Sequence, residues 1–351
     1  MKVPIENIYY LLCYAWRFVP EDLAIDVGGS SSPDVLNLCA HVLTTGIDRL
    51  MRRGIDRGYV GFVEETPRLR GRVDLTATIT RLTWRNARVV CEFDELSPDI
   101  LHNRILRTTI RLLSNGEIEP ELRNRLHETD FRLSGIDTIP LTGSLFQRVQ
   151  LHRNNSFYAF LMRVCELVHS SLLPDRSGEG PSWFKDVLSD EEYMAAVFEE
   201  FIRNFYSLKQ SYFAVGRSHP KWNATAEDWD LRFLPAMTTD VTLSSTSRTI
   251  IIDAKYYRDA LQTHFQHGSR KVHSSNLYQL LAYLHGTNGP AGDGSLEGML
   301  IYPVGEQAVD LRFKIDSYPI RIYTVNLAQP WSSIETDLLD LIGSTVSSPA
   351  G

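Results

Sequence analysis

Two aspartates and one lysine, grouped around a short turn, carry the most chemistry in this chain. They lie in residues 238–257, TTDVTLSSTSRTIIIDAKYY. A turn centred between Thr246 and Ser247 sets Asp240 opposite Asp253 if the two flanking runs pair as strands. Directly opposite residues have Cβ atoms about 5 Å apart. Carboxylates that close repel each other unless something positive lies between them, and a divalent cation meets that need. Alternation along a strand puts Asp253 and Lys255 on one face, while the carbonyl of Ala254 offers a further oxygen. Two carboxylates, a carbonyl and an ammonium suit Mg²⁺ or Mn²⁺ rather than zinc. Such an ion makes water a usable nucleophile near neutral pH, and Lys255 would orient or help deprotonate it. That is the chemistry of phosphodiester hydrolysis. The same residues also fit an ordinary hairpin closed by an Asp/Lys ion pair. The apolar run 250–252 favours chemistry, because a buried strand rarely ends in an acid and a base without a use for them.

Two flanking helical segments add candidates. In 190–206, DEEYMAAVFEEFIRNFY, the residues Ala196, Phe198, Phe201 and Phe205 fall on or near a buried side. Glu199 then reads as a carboxylate beside the metal, or as a solvated helix glutamate. In 273–285, HSSNLYQLLAYLH, Gln279 and Tyr283 are four apart and share a face, with Asn276 one turn earlier. The three form a polar stripe that either contacts the lysine and a phosphate backbone or faces solvent. His264, His267 and His273 are close in sequence, but no cysteine or HExxH pattern accompanies them, so a histidine metal site is not expected.

These residues need elements to position them. Helices are predicted at 5–17, 33–52, 98–113, 156–172, 190–206, 273–285 and 330–342 from apolar spacing and caps. Strands are predicted at 59–65, 69–75, 87–93, 236–243, 249–257, 298–304 and 320–325. Stretches 174–182 and 258–272 read as loops, and 114–139 as irregular. The fold class is α/β, α+β overall, with a boundary near 140–144.

The 351 residues include 36 Lys+Arg against 43 Asp+Glu, a net charge of −7. An acidic chain is a poor DNA binder by itself, because affinity comes from neutralising phosphates. Residues 51–90 run against that sign, with nine Arg, no Lys and four acids. The four cysteines are widely spaced and read as reduced core thiols. No run reaches the roughly 18 apolar residues of a membrane span, and nothing resembles a leader peptide, so a cytoplasmic protein with no membrane partner is expected. Walker, dinucleotide-glycine and Gly-x-Ser-x-Gly motifs are absent. No nucleotide is expected to bind this chain.

Taken together, TDVT, IIIDAKYY and NLYQLLAYL resemble the PD-(D/E)xK nuclease core. Gln279 to Tyr283 are similar to the Q-x-x-x-Y helix of its RecB-like branch. The opening IENIYYLLCYAW, LRGRVDL at 69–75, FDELSPDILHNRILRTT at 93–109 and MLIYP at 299–303 extend the likeness in colinear order over nearly the whole chain. The resemblance is to the McrC family, nuclease subunits of McrBC modification-dependent restriction systems.

That resemblance implies a type IV restriction endonuclease subunit that cuts DNA with Mg²⁺, in which Asp240, Asp253 and Lys255 match the nuclease triad and Glu199 the less uniform helix glutamate. It implies a partner, an McrB-type AAA+ GTPase forming a hexameric ring. The partner binds GTP and recognises modified cytosine in double-stranded DNA. It also implies a split into residues 1–145, which dock on the partner and stimulate its GTPase, and 146–351, an endonuclease domain with a central mixed sheet flanked by helices. The Arg-rich stretch then reads as the docking surface, with Arg70 and Arg72 as candidates for stimulation. A stand-alone RecB-like nuclease and a non-catalytic activator of an AAA+ ring are the alternatives.

Overall fold

The computed structural model describes residues 3–19, 35–151, 155–171, 190–226, 230–257, 261–263, 270–290, 294–305 and 307–343. The expected loop at 174–182, the helix start at 33–34, His264 and His267 lie outside them. Two compact units form. One is discontinuous, Met1–Val35 with Asp186–Gly351, and the other, Leu36–Lys185, is inserted in it.

The discontinuous unit opens with α1 (Ile5–Ala15). The inserted unit follows with α2 (Val35–Arg53, from its second residue), β1 (Gly58–Thr66), β2 (Arg72–Val73), α3 (Leu75–Thr80), β3 (Val89–Ser97), α4 (Leu101–Ser114), α5 (Pro120–Arg132), α6 (Gly143–Gln147) and α7 (Ser156–Ser170). Here β1 and β3 form a nine-residue antiparallel pair, with β2 on the other edge of β3. Gly71 enters β2 at φ +57°, and a Cβ there would lie 2.4 Å from the Glu92 carbonyl oxygen and 2.7 Å from Cβ of Phe93. Only glycine fits that approach. A buried polar knot ties the foot of this pair to the helices. Asn103 Nδ2 donates to the carbonyls of Asp56 and Pro98, at 2.9 and 2.7 Å, and Tyr158 OH donates to Asn103 Oδ1 at 3.1 Å.

The chain returns to the discontinuous unit with α8 (Glu191–Lys209), β4 (Ala214–Gly216), β5 (Val241–Ser244), β6 (Arg248–Ala254), β7 (Leu261–Thr263), β8 (Arg270–Val272), α9 (Ser274–His285), β9 (Ser295–Pro303), β10 (Asp310–Ile315), β11 (Tyr318–Val325) and α10 (Trp331–Leu341). Six strands make a mixed sheet in the order β10-β11-β9-β6-β5-β4, and β7 and β8 pair separately. Strands β6, β9 and β11 run parallel, which needs crossover connections. The crossover from β6 to β9 contains α9, which packs Leu280 and Leu284 on Ile251, Leu300 and Ile322. Gly298 of β9 permits it, since a Cβ there would meet Leu280 and Leu284 at about 3 Å.

Several expectations shift. The boundary at 145 does not follow the compact units, because α1 is built into the discontinuous one. Asn7 Nδ2 donates to the carbonyls of Leu327 and Gln329, both at 2.8 Å, and Asn204 Nδ2 to that of Ala15 at 2.9 Å. Tyr10 and Tyr14 stack on Trp331. Conversely α7 belongs to the inserted unit. The predicted strand 69–75 shrinks to Arg72–Val73, since Asp74 caps α3 by accepting the Ala77 N–H at 2.9 Å. The stretch read as irregular contains α5, in which only Leu126 and Thr129 are buried. Strands β4, β7, β8 and β10 are additions. All four cysteines are buried thiols. Among the described residues no helix is long and apolar enough to cross a membrane.

Candidate functional site

The apolar run before Asp253 is the buried middle of the sheet: β6 lies between β5 and β9 with Ile250, Ile251 and Ile252 fully buried. Its register with β5 pairs Val241 with Ile252 and Thr242 with Ile251. Extended by one position, that register sets Asp240 opposite Asp253, as the turn predicted. The backbone bends at Asp240, so the rung at that end is made by a side chain. Oδ2 of Asp240 accepts the Ala254 N–H at 3.0 Å. Nζ of Lys255 donates to Oδ1 of Asp253 at 2.9 Å and lies 3.9 Å from Oδ2 of Asp240. Three side chains that the sequence grouped therefore converge at one strand end.

The electrostatics of this cluster follow from burial. Asp253 is fully buried, and burial pushes its carboxyl well above the usual range, with Lys255 opposing and Asp240 adding to the rise. For Lys255, burial works against the charge, but Asp253 and Asp240 outweigh it and hold the ammonium above its ordinary value. Oδ2 of Asp253 is buried with no hydrogen-bond partner among the described residues. A buried carboxylate oxygen left bare is costly, and a cation between Asp253 and Asp240 removes that cost. Among the described residues no group of three or more His, Cys, Asp or Glu has metal-holding geometry. Among the described residues, Asp240 and Asp253 are the two carboxylates that meet Lys255 at this strand end. That fits Mg²⁺, which keeps several of its waters and is held by one or two carboxylates. Ala254 is buried, and its carbonyl leaves the strand on the same side as its N–H, toward Asp240.

Glu199 on α8 is half-buried beside this group. Burial raises its carboxyl and Asp240 raises it further, while Lys255 and Arg217 act the other way. It shares the field of the site without forming a three-carboxylate cluster. Of the helix face predicted to bury, Phe198, Phe201 and Phe205 do so and Ala196 is exposed.

On α9 the polar stripe is turned inward. Gln279 Nε2 donates to Tyr283 OH at 2.7 Å. Burial raises the Tyr283 hydroxyl, and both aspartates and Lys255 act on it, which places the Gln279–Tyr283 pair beside the cluster. Asn276 is 5% exposed and donates to Tyr302 OH at 3.0 Å; Tyr283 is 6% exposed. Such burial does not fit Asn276 and Tyr283 as contacts to a DNA backbone. Asn276 is committed to a hydrogen bond that ties α9 to β9, and Tyr283 OH to one from Gln279 within α9.

In the inserted unit, Arg70 and Arg72 flank Gly71 at the edge of β3. Arg70 is half exposed, with its guanidinium 4.5 Å from the Phe93 ring centre and 3.7 Å from Glu95. Arg72 is exposed and pairs in register with Glu92. Around them Tyr59, Val63, Leu69, Leu75, Ile79 and Trp84 are each more than half exposed.

Two further features escaped the sequence reading. Arg217 is exposed, 3.4 Å from Glu200, and acts on Glu199. A knot of hydroxyls joins Ser218, Thr239 and Thr242 beside Asp240. The threonines around Asp240 were its only sequence signal, since Ser218 is 21 residues away.

Comparison with known proteins bears on the family and on the fold. The family model described as McrBC 5-methylcytosine restriction system component matches residues 6–303. The chain is 33% identical over 341 residues, 97% of each chain, to the type IV methyl-directed restriction enzyme EcoKMcrBC of Escherichia coli (strain K12). Its fold is similar, at TM-score 0.62 and 19% identity, to a chain in a complex of Thermococcus gammatolerans McrB AAA+ hexamers with bound McrC, covering 97% of this chain and 76% of that one. The mixed α+β architecture is therefore a fold already seen in a complex of McrB with McrC. By the extent of the family match and the full-length relative, this chain belongs to the McrBC 5-methylcytosine restriction system component family.

Proposed function

We propose that this chain is the Mg²⁺-dependent DNA endonuclease subunit of a modification-dependent restriction complex, working with an McrB-type AAA+ GTPase that binds GTP and reads the modified cytosine. The observation that carries the reading is the buried Asp253, with one carboxylate oxygen on Lys255 and the other without a hydrogen-bond partner among the described residues, at the strand end that also carries Asp240. Asp240 and Asp253 would hold the cation, with the Ala254 carbonyl on the same side. When bound, the cation supplies charge that polarises a phosphate and acidifies water. Asp253 fixes the Lys255 ammonium through Oδ1, so that its positive charge is presented where a phosphate would approach. The Ala254 N–H holds one oxygen of Asp240 and so keeps its carboxylate aimed across the strand end. Glu199 adds negative charge on the α8 side, and Gln279 orients the Tyr283 hydroxyl beside the group.

Partner docking is supported by the inserted unit. Its β1–β3 pair and α3 expose large apolar side chains. Around them the Arg-rich 51–90 stretch carries a charge opposite to that of the whole chain. Large apolar side chains left exposed on neighbouring elements are a mark of interaction surfaces. Arg70 and Arg72 are the residues we assign to GTPase stimulation.

The test is cleavage of methylated and unmethylated DNA by the chain with and without an McrB-type AAA+ protein, GTP and Mg²⁺. Cutting of methylated DNA only in the complete mixture is expected, and an Asp253→Ala chain should lose cutting while still raising GTP turnover. Cutting without the partner would make this a stand-alone nuclease. Raised GTP turnover with no cutting under any condition would leave a non-catalytic activator.

A further inference from the structure

Asp240 lies outside the sheet that presents it, and side chains hold it there from both flanks. The register of β4 with β5 pairs Gly216 with Thr242, and two positions on it would face Ser218 with Asp240. That rung is built from hydroxyls. Thr239 N–H donates to the Ser218 carbonyl at 3.1 Å, and Ser218 N–H donates to Oγ1 of Thr239 at 2.9 Å, a side-chain oxygen where a ladder would use a carbonyl. The same Oγ1 lies 2.9 Å from Oγ1 of Thr242 and 3.2 Å from Oγ of Ser218. A 2.8 Å link between Ser218 and Thr242 closes the triangle. Thr239 is fully buried, so no water replaces a lost partner. On the opposite flank, Asp240 itself takes the Ala254 N–H.

We infer that Thr239 is a positioning residue for the cation site. Its hydroxyl is the hub that fixes where the chain leaves β5, and so fixes the carboxylate of Asp240 against Asp253 and Lys255. This rests on reading Asp240 and Asp253 as the cation-holding pair. A β-branched side chain suits the hub, because Thr has few χ1 choices and its hydroxyl is held in one of them by three neighbours. Valine keeps the shape and deletes the hydroxyl. Serine keeps the hydroxyl and deletes the methyl group.

The experiment is a Mn²⁺ titration of the full chain, read by the electron paramagnetic resonance of the free ion, with thermal unfolding of each variant in parallel. Wild type, Asp253→Asn, Thr239→Val and Thr239→Ser are compared. Changes to residues that orient metal ligands typically cost about 10- to 100-fold in affinity, and a loss of that size is expected for Thr239→Val, with Thr239→Ser close to wild type. In the assembled complex, added Mg²⁺ should restore cutting to Thr239→Val but not to Asp253→Asn. Unchanged Mn²⁺ affinity in a folded Thr239→Val, with Asp253→Asn still deficient, overturns the positioning role alone. Equal binding by wild type and Asp253→Asn overturns the cation reading and this inference with it. If Thr239→Val does not fold, Thr242→Val removes one spoke and leaves the hub. A smaller loss of affinity is then expected, and no loss overturns the inference.

Discussion

Lys255 holds its place through Asp253, and that contact separates its two uses. Nζ sits 2.9 Å from Oδ1 of Asp253 and 3.9 Å from Asp240, so it neutralises the carboxylate pair and also points a positive charge out of the strand end. If its task is at the reacting phosphate or water, Lys255→Met should lower single-turnover cleavage by about 10²- to 10⁴-fold, the usual worth of a positioned proton-handling group. Mn²⁺ binding should persist, because both carboxylates remain. Cutting at the wild-type rate would remove Lys255 from the reaction. The convergence was legible because a hairpin turn and a two-residue alternation are local rules, and they fixed both the facing of Asp240 with Asp253 and the pairing of Asp253 with Lys255. The orientation of α9 was not legible. A polar stripe reads the same whether it meets solvent or the hydroxyl of a tyrosine such as Tyr302, 26 residues away. Asn276 turned inward for that reason, and Tyr283 because its ring joins the apolar cluster under α9.

The element that presents Arg70 and Arg72 depends on the glycine between them. Gly71 combines a positive φ with a backbone approach that leaves no room for Cβ. Gly71→Ala should therefore push β2 off β3 and destabilise the inserted unit by about 1–2 kcal/mol from the left-handed conformation alone, with a further cost from the clash. Both the melting temperature and the stimulation of partner GTP turnover should fall. Replacing Arg70 and Arg72 by Ala should lower stimulation with the melting temperature almost unchanged, since both side chains are exposed. A pair of Ala variants with full stimulation would assign that task elsewhere in the inserted unit. Elements with a clear apolar stripe, such as α1, α4 and α8, were readable from sequence. Helix α5 was not, because it buries so little of itself. Strand β10 was not, because it is an edge strand whose residues are mostly exposed. In both, tertiary neighbours decide what local pattern leaves open.

At the scale of the whole chain, the division into units differs from the division a linear reading gives. Pro140 and Gly143 mark a composition break, yet the chain is not cut there. The first 15 residues bury Ile8, Leu11, Leu12 and Tyr14 in the discontinuous unit, through α8 and the aromatic ring of Trp331. Tyr14 OH donates to Glu335 Oε1 at 2.9 Å, where Lys209 also pairs, so removing α1 uncovers a partly buried ion pair as well as a core. Burying such a helix is worth several side chains at about 1.5–3 kcal/mol each, a large share of the 5–15 kcal/mol that stabilises a typical domain. A fragment covering 146–351 should accordingly be aggregated or molten, binding a hydrophobic dye and lacking a cooperative unfolding transition. Joining residues 1–35 directly to 186–351 by a flexible linker should restore cooperative unfolding, because the inserted unit enters and leaves between those points. The joined chain should bind Mn²⁺ through Asp240 and Asp253 and fail to stimulate the partner. A cooperative, Mn²⁺-binding 146–351 fragment would show that α1 is dispensable, and the split at 145 would then stand.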